Sequence, residues 1–243
     1  MNKNVREIPF ELCGLHVREA AEGEEQSREV EGRAVVYGKR SNNLTPWSSL
    51  REVYEIMQPG SITQSIIDKS DIFFTAYHDD SIILGRSEMG KGTLKLIVDG
   101  EGVLVRCALP NTKDGDTILE LIRRGDLHAM SFAYTANEED SENAVSYEML
   151  SERSADGKEV WLRHVKKVDE LFDVTVARRP AYSQTSIGQR EQNPEDKHID
   201  DSIDAMKREQ EAAAAEQRKQ QRERQISQMG RDIDILENEI FNQ

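Results

Sequence analysis

The chain has 243 residues with 32 Lys and Arg against 46 Asp and Glu, a formal net charge of −14. This acidic balance argues against a general binder of nucleic acid or of anionic membranes, because both functions need a positively charged surface. The hydrophobic fraction of 37% is low for a wholly globular chain, so we expect part of the length to be solvated helix or linker.

Only two cysteines are present, Cys13 and Cys107, and they lack the spacing of a zinc site. We therefore expect buried thiols in a reducing compartment and no disulfide framework. The first 20 residues have no apolar core, and no run in the chain approaches the ~20 apolar residues that span a bilayer. The sequence thus predicts neither a signal peptide nor a membrane span.

Strand-like patterns dominate the first half of the chain. They predict strands over residues 8–17, 30–37, 53–57 and 72–78, and a hairpin over residues 93–109 that turns at Asp99-Gly100. A short helix should begin with Ser61 as its N-cap and run to Asp68.

The second half adds one amphipathic helix and further strands. The helix is expected over residues 117–124, capped by Asp114 or Asp116 and ended by Gly125. Strands should follow around Ser131 and over residues 145–150, 160–168 and 171–176. Many short strands with few helices predict an α+β fold, with a mostly antiparallel, barrel-like core and the helices packed outside it.

Composition changes near residue 186. We divide the chain into one globular domain over residues 1–188, a polar linker over 189–204 and a helical tail over 205–243. Apolar residues in the tail alternate at spacings of three and four, which predicts a coiled-coil seam that forms a homo-oligomer or docks onto a partner. They are Ile226, Met229, Ile233, Leu236 and Ile240. The alternative is a helix that packs back onto its own domain.

A serine among apolar neighbours, Ser131, is the leading candidate nucleophile. Serine needs a base to remove its proton and a third group to orient that base. His78, at the end of a predicted strand, is the leading candidate base, and Asp173 is the candidate third residue. The rival histidines are His128, which should face away from Ser131, and His164.

A resemblance strengthens this interpretation. A series of short motifs lies in order between about residues 30 and 185. They are residues 32–37 (GRAVVY), 54–56 (YEI), 59–61 (PGS), 78–79 (HD), 84–86 (LGR), 92–94 (GTL), 109–112 (LPNT), 125–127 (GDL), 130–132 (MSF), 171–176 (LFDVTV) and 180–181 (PA). In their order and wording these motifs resemble the HK97-type prohead (capsid maturation) serine proteases of tailed bacteriophages.

Carried over by this resemblance, the catalytic histidine and serine fall on His78 and Ser131. The family's acidic residue falls on Asp173, where the family more often has glutamate, and Glu170 is a nearby alternative. The resemblance also implies the fold of the herpesvirus assemblins, whose triad is His-Ser-His, so His164 is a second alternative.

Two further features of the predicted site concern the oxyanion and metal binding. Assemblins also place an arginine pair near the oxyanion site, which Arg178-Arg179 resembles. No cofactor and no metal are implied. A metal phosphohydrolase built on His78-Asp79-Asp80 would need further histidine ligands, and these are not evident.

The resemblance implies a serine endopeptidase that cleaves capsid or scaffold proteins, and itself, during prohead maturation. Its expected partners are the major capsid protein and/or the scaffold protein, with no nucleic acid and no membrane. Its expected location is the interior of the immature capsid, in the host cytoplasm. The alternative function is a catalytically inactive, protease-like factor in capsid assembly.

Overall fold

A computed structural model describes residues 3–8, 10–20, 27–46, 48, 50–177 and 194–241. The chain divides into two compact units, residues 1–192 and 193–243. Thirteen strands are found in the described residues of the first unit: β1 (Asn4–Ile8), β2 (His16–Val17), β3 (Glu29–Val36), β4 (Arg51–Met57), β5 (Asp71–Ala76), β6 (Asp79–Glu88), β7 (Lys91–Gly92), β8 (Leu94–Val98), β9 (Gly102–Ala108), β10 (Ala129–Thr135), β11 (Val145–Arg153), β12 (Glu159–Val165) and β13 (Glu170–Ala177).

These strands form three sheets. The largest has the order β1-β10-β13-β5-β6-β7, and the others are β2-β3-β9-β8 and β11-β12-β4. Most neighbouring strands are antiparallel, but β13 pairs with β5 and β12 pairs with β4 in parallel. The fold is therefore α+β as expected. Among the described strands no sheet closes on itself, so the expected barrel-like core is not confirmed.

The described residues also contain four helices: α1 (Phe10–Cys13), α2 (Gln64–Ile67) and α3 (Lys113–Arg123) in the first unit, and α4 (Pro194–Phe241) in the second. Helix α3 begins four residues before the predicted start. Its N-cap is Thr112, whose side chain accepts a hydrogen bond from the N–H of Gly115, rather than Asp114 or Asp116. Likewise α2 has Thr63, and not Ser61, at its N-cap position. Gly125 follows α3 with φ +77°, a left-handed conformation that ends helices.

Two regions differ from the sequence-based expectation. The single strand expected over residues 8–17 is interrupted by α1 and by Gly14, whose φ of +58° is incompatible with extended backbone. Residues 194–204, expected to belong to a linker, form the beginning of α4. Pro194 at the first position suits a helix, because its missing N–H would have no helical partner there.

The predicted coiled-coil seam lies largely beyond the described side chains, which end at residue 226. Ile226, the first seam residue, is 70% exposed. The structure therefore describes a long helix and leaves the seam as a prediction. In the described part of the chain, no helix is long and apolar enough to cross a membrane.

Strand β10 occupies the second position of the large sheet, between β1 and β13. All seven of its residues are buried, which is why it lacks the polar and apolar alternation of a strand with one face in water. Its large side chains, Met130, Phe132 and Tyr134, belong to the hydrophobic core. The intervening small side chains, Ala129, Ser131 and Ala133, occupy the opposite face, so Ser131 is presented on the small-residue face of a rigid strand.

A buried charged network ties this sheet to the β11-β12-β4 sheet. Glu55 on β4 accepts a 2.9 Å hydrogen bond from Nε of Arg6 on β1 and a 2.9 Å bond from the hydroxyl of Tyr134 on β10. It also pairs with Arg163 on β12, which in turn pairs with Glu138. Glu55 and Arg163 are almost completely buried. Because a buried charge is costly without a partner, the network ties β1 and β10 of the large sheet to β4 and β12 of the other sheet.

Candidate active site

The imidazole of His78 lies in a tight turn between β5 and β6. Tyr77 and His78 have φ values of +61° and +56°, which are uncommon for residues with a side chain. Two hydrogen bonds to β13 hold this turn. The N–H of Tyr77 donates to the carbonyl of Val176 at 3.0 Å, and the N–H of His78 donates to Oγ1 of Thr175 at 3.1 Å. The sequence pattern predicts a strand that ends at His78. In the structure β5 ends at Ala76, and His78 lies two residues beyond it.

Ser131 reaches the histidine from β10. Its Oγ lies 2.7 Å from Nε2 of His78, which is hydrogen-bond distance for proton transfer. The strand register explains this approach, because Ser131 on β10 is paired with Thr175 on β13, the residue that anchors the histidine turn. The Ser131 side chain is fully buried, whereas the His78 side chain is 25% exposed, so the pair meets solvent at the imidazole.

Asp173 on β13 completes the hydrogen-bonded chain. Its Oδ1 lies 2.6 Å from Nδ1 of His78. With a proton on Nδ1, the ring donates to Asp173 and can accept the hydroxyl proton of Ser131 at Nε2. Burial raises the pKa of Asp173, but the hydrogen bonds from His78 and Lys3 outweigh burial and hold it below its usual range. The carboxylate is therefore ionised at neutral pH.

Lys3 is a member of the site that the sequence did not indicate. Its Nζ lies 3.0 Å from Oδ2 of Asp173 and 5.3 Å from the centre of the Phe172 ring. The two oxygens of Asp173 thus serve different partners, Oδ1 the histidine and Oδ2 the lysine. Lysine and aspartate are separated by 170 positions, and no local pattern connects them.

The other candidates for the third residue have different surroundings. Both ring nitrogens of His164 are engaged elsewhere, Nδ1 with Gln58 at 2.8 Å and Nε2 with Glu148 at 2.9 Å. Glu170 is exposed at the start of β13 and is paired in the sheet with Thr135. Neither side chain contacts His78 through a hydrogen bond.

Two more predicted features can be located. His128 precedes β10, and its Nδ1 lies 2.9 Å from the carbonyl oxygen of Gly125. Arg178 and Arg179, the expected oxyanion pair, lie outside the described residues. Within the described part of the chain, no group of three or more His, Cys, Asp or Glu side chains is arranged to hold a metal ion.

A serine hydroxyl, an imidazole and a buried carboxylate joined in this order are the arrangement of hydrolases that use a serine nucleophile. A family model described as "Caudovirus prohead serine protease" matches residues 15–198, well over half of the chain. The chain belongs to this family of phage prohead serine proteases. No curated protein and no solved structure matches it.

Proposed function

We propose that this protein is a serine endopeptidase in which Ser131 is the nucleophile, His78 the general base and acid, and Asp173 the group that orients the imidazole. The observation that carries this proposal is the pair of hydrogen bonds made by one imidazole, at 2.7 Å to Ser131 and 2.6 Å to Asp173. Membership of a prohead serine protease family supports the same reaction class.

The reaction would proceed through an acyl-enzyme. Ser131 Oγ attacks the scissile carbonyl while Nε2 of His78 takes its proton, and the resulting imidazolium is stabilised by the carboxylate of Asp173. His78 then donates the proton to the leaving amine. Water, deprotonated by the same imidazole, releases the acyl group and restores Ser131. Hydrogen-bond donors near Ser131 would stabilise the tetrahedral oxyanion.

The family implies a role in capsid maturation, and we infer that the substrates are the capsid protein or the scaffold protein together with the protease itself. The reaction would then occur inside the procapsid in the host cytoplasm. The hydrogen-bonded chain gives no support to the alternative of an inactive assembly factor, because such a factor has no use for an oriented imidazole.

Helix α4 has a separate proposed role in assembly. Its 48 residues and the apolar seam that starts at Ile226 suit association with a second copy of the chain or with helical scaffold. This association would bring the protease into the shell, while the first unit carries the chemistry.

Substitution of the nucleophile tests the proposed reaction. Ser131→Ala should abolish labelling by a fluorophosphonate probe and cleavage of co-expressed capsid protein. The variant should still unfold in a cooperative thermal transition, which shows that it is folded. Ser146→Ala, on β11 away from His78, is the matched control and should behave like the wild type. His78→Ala should also lose labelling although Ser131 is present. Wild-type processing by Ser131→Ala would refute the assignment.

A further inference from the structure

The amino-terminal strand contributes a charged group to the candidate catalytic site. Strand β1 pairs antiparallel with β10 along its whole length, with Glu7 opposite Ser131 in the register. Lys3 directly precedes this strand, and its ammonium group lies against the carboxylate of Asp173. The family match begins at residue 15, so both β1 and Lys3 lie outside the matched part of the chain.

The position of Lys3 is determined by several contacts. Arg6 on β1 is almost completely buried and pairs with Glu55. This ion pair anchors β1, which begins directly after Lys3. The ammonium group also lies over the Phe172 ring, where the face of an aromatic ring attracts a cation. The lysine side chain is half exposed, whereas Asp173 is 6% exposed. A strand anchored in the core thus delivers a cation to a buried carboxylate.

We propose that Lys3 is a positioning residue of the catalytic site, one that fixes the Asp173 carboxylate through Oδ2 and moderates the negative charge that His78 experiences through Oδ1. This inference rests on the proposed function, because it gives a role to a group that touches neither Ser131 nor the reacting atoms.

The charge balance predicts the direction of the effect. The carboxylate of Asp173 favours the protonated imidazole of His78, and a cation beside that carboxylate opposes this influence. Removal of Lys3 should therefore strengthen the attraction of the Asp173 carboxylate for the protonated imidazole. Because only the neutral imidazole can accept the proton of Ser131, activity should then require a higher pH.

Among the described side chains, the other charged groups near the imidazole of His78 do not supply a second cation to the Asp173 carboxylate. In the described residues, Asp173 accepts side-chain hydrogen bonds from His78 and Lys3. Ser131, from β10, faces the far side of the imidazole. The acidic residues that follow the histidine turn are exposed on β6, and the first of them accepts bonds from Ser81. These residues are Asp79 and Asp80.

The test compares Lys3→Met and Lys3→Arg with the wild-type protein, all as the full chain. The first readout is the rate of Ser131 labelling by a fluorophosphonate probe as a function of pH, which needs no knowledge of the cleavage site. For Lys3→Met we expect the acidic limb to move up by roughly 0.5 pH unit, the scale of a partly exposed charge interaction. Labelling should fall about threefold on that limb and stay unchanged on the alkaline plateau.

The second readout is the titration of the His78 ring followed by NMR, with the signal assigned by its loss in His78→Gln. The same upward shift is expected in Lys3→Met and no shift in Lys3→Arg, which retains the charge. Lys91→Met, an exposed lysine on β7, is the matched control and should not change either profile. A loss of activity that is equal at all pH values would indicate a purely structural role and would overturn the proposal.

These two readouts separate the inference from the proposed function. An unchanged His78 titration in Lys3→Met overturns the role of Lys3, even if the probe labels Ser131 normally. Failure of the probe to label the wild-type protein contradicts the proposed function, whereas the NMR titration still decides whether Lys3 acts on His78. If Lys3→Met does not fold, Lys3→Gln removes the charge while retaining a hydrogen-bond donor, and it supports the same comparison.

Discussion

The backbone N–H of His78 donates a 3.1 Å hydrogen bond to Oγ1 of Thr175. Thr175 lies two residues after Asp173 on β13, so one strand supplies both the carboxylate that meets the imidazole and the anchor of the turn that carries it. The hydroxyl of Thr75 on β5 donates to the same oxygen at 3.0 Å. The left-handed conformation of His78 is thereby held by hydrogen bonds from a neighbouring strand, as expected where uncommon backbone geometry persists at a functional site.

Removal of this anchor should impair the site without touching the reacting groups. Thr175→Val preserves the shape of the side chain but leaves the N–H of His78 without its acceptor, which costs about 1–3 kcal/mol when a buried donor is unpaired. We expect a labelling rate of Ser131 lowered by roughly tenfold and a lower urea midpoint.

Thr175→Ser retains the hydroxyl and should recover most of both properties. Thr117→Val, on the exposed surface of α3, controls for the loss of a threonine hydroxyl. Full activity in Thr175→Val would mean that the turn holds its conformation without this bond.

The identity of the third residue can be tested by comparing three substitutions. Asp173→Asn should lower the rate of capsid-protein cleavage by ~10³–10⁴-fold, because an amide no longer selects the tautomer with the proton on Nδ1 or stabilises the imidazolium. Glu170→Gln and His164→Gln should remain within about twofold of the wild type, since neither side chain contacts His78. A greater loss in either of these two than in Asp173→Asn would reassign the third position.

The buried network around Glu55 predicts a pH-dependent contribution to stability. Burial raises the pKa of Glu55, but the charges of Arg6 and Arg163 outweigh it and lower the pKa from its ordinary value of 4.5. Because the pKa of Glu55 is lower in the folded state, its ionised carboxylate stabilises the fold fully at pH values above its ordinary pKa. This stabilisation is lost as the pH falls through the folded-state pKa. Glu55→Gln should therefore reduce the free energy of unfolding by ~3–5 kcal/mol at pH 7.

The difference between the wild type and Glu55→Gln should shrink below about pH 4.5, as measured by urea denaturation across pH. Glu152→Gln breaks the exposed pair with Arg40 and should cost less than ~1 kcal/mol. A constant difference between Glu55→Gln and the wild type down to pH 3 would contradict the assignment of the ionised carboxylate to the folded state.

The seam of α4 predicts self-association. Ile226→Glu combined with Ile233→Glu places charges within the apolar seam and should convert an oligomer to a monomer in sedimentation velocity. Gln221→Glu with Gln228→Glu adds the same charge outside the seam and should leave the mass unchanged. Equal sedimentation of all three proteins as monomers would exclude association through this helix, while labelling of Ser131 should be the same in each.

The strands were predictable where one face is buried, because burial of alternate residues is recorded in the local pattern. This holds for β3, β4 and the β8-β9 hairpin, whose buried positions largely alternate. The alternating pattern gave a wrong prediction over residues 8–17, where the structure has α1 and a left-handed glycine instead of one strand. The prediction also failed at the start of α4, because polar composition is shared by linkers and solvated helices.

The sequence by itself determined the α+β class, the family resemblance and the candidate residues Ser131, His78 and Asp173. Tertiary structure alone decided that Asp173 rather than Glu170 or His164 meets the imidazole, that the backbone of the His78 turn is held by Thr175, and that Lys3 contacts the same carboxylate. The physical reason is that these contacts depend on the register between strands far apart in the chain, which arises from backbone hydrogen bonds and core packing. Local periodicity records which face of a strand is buried, but it carries no information about which strand lies beside it.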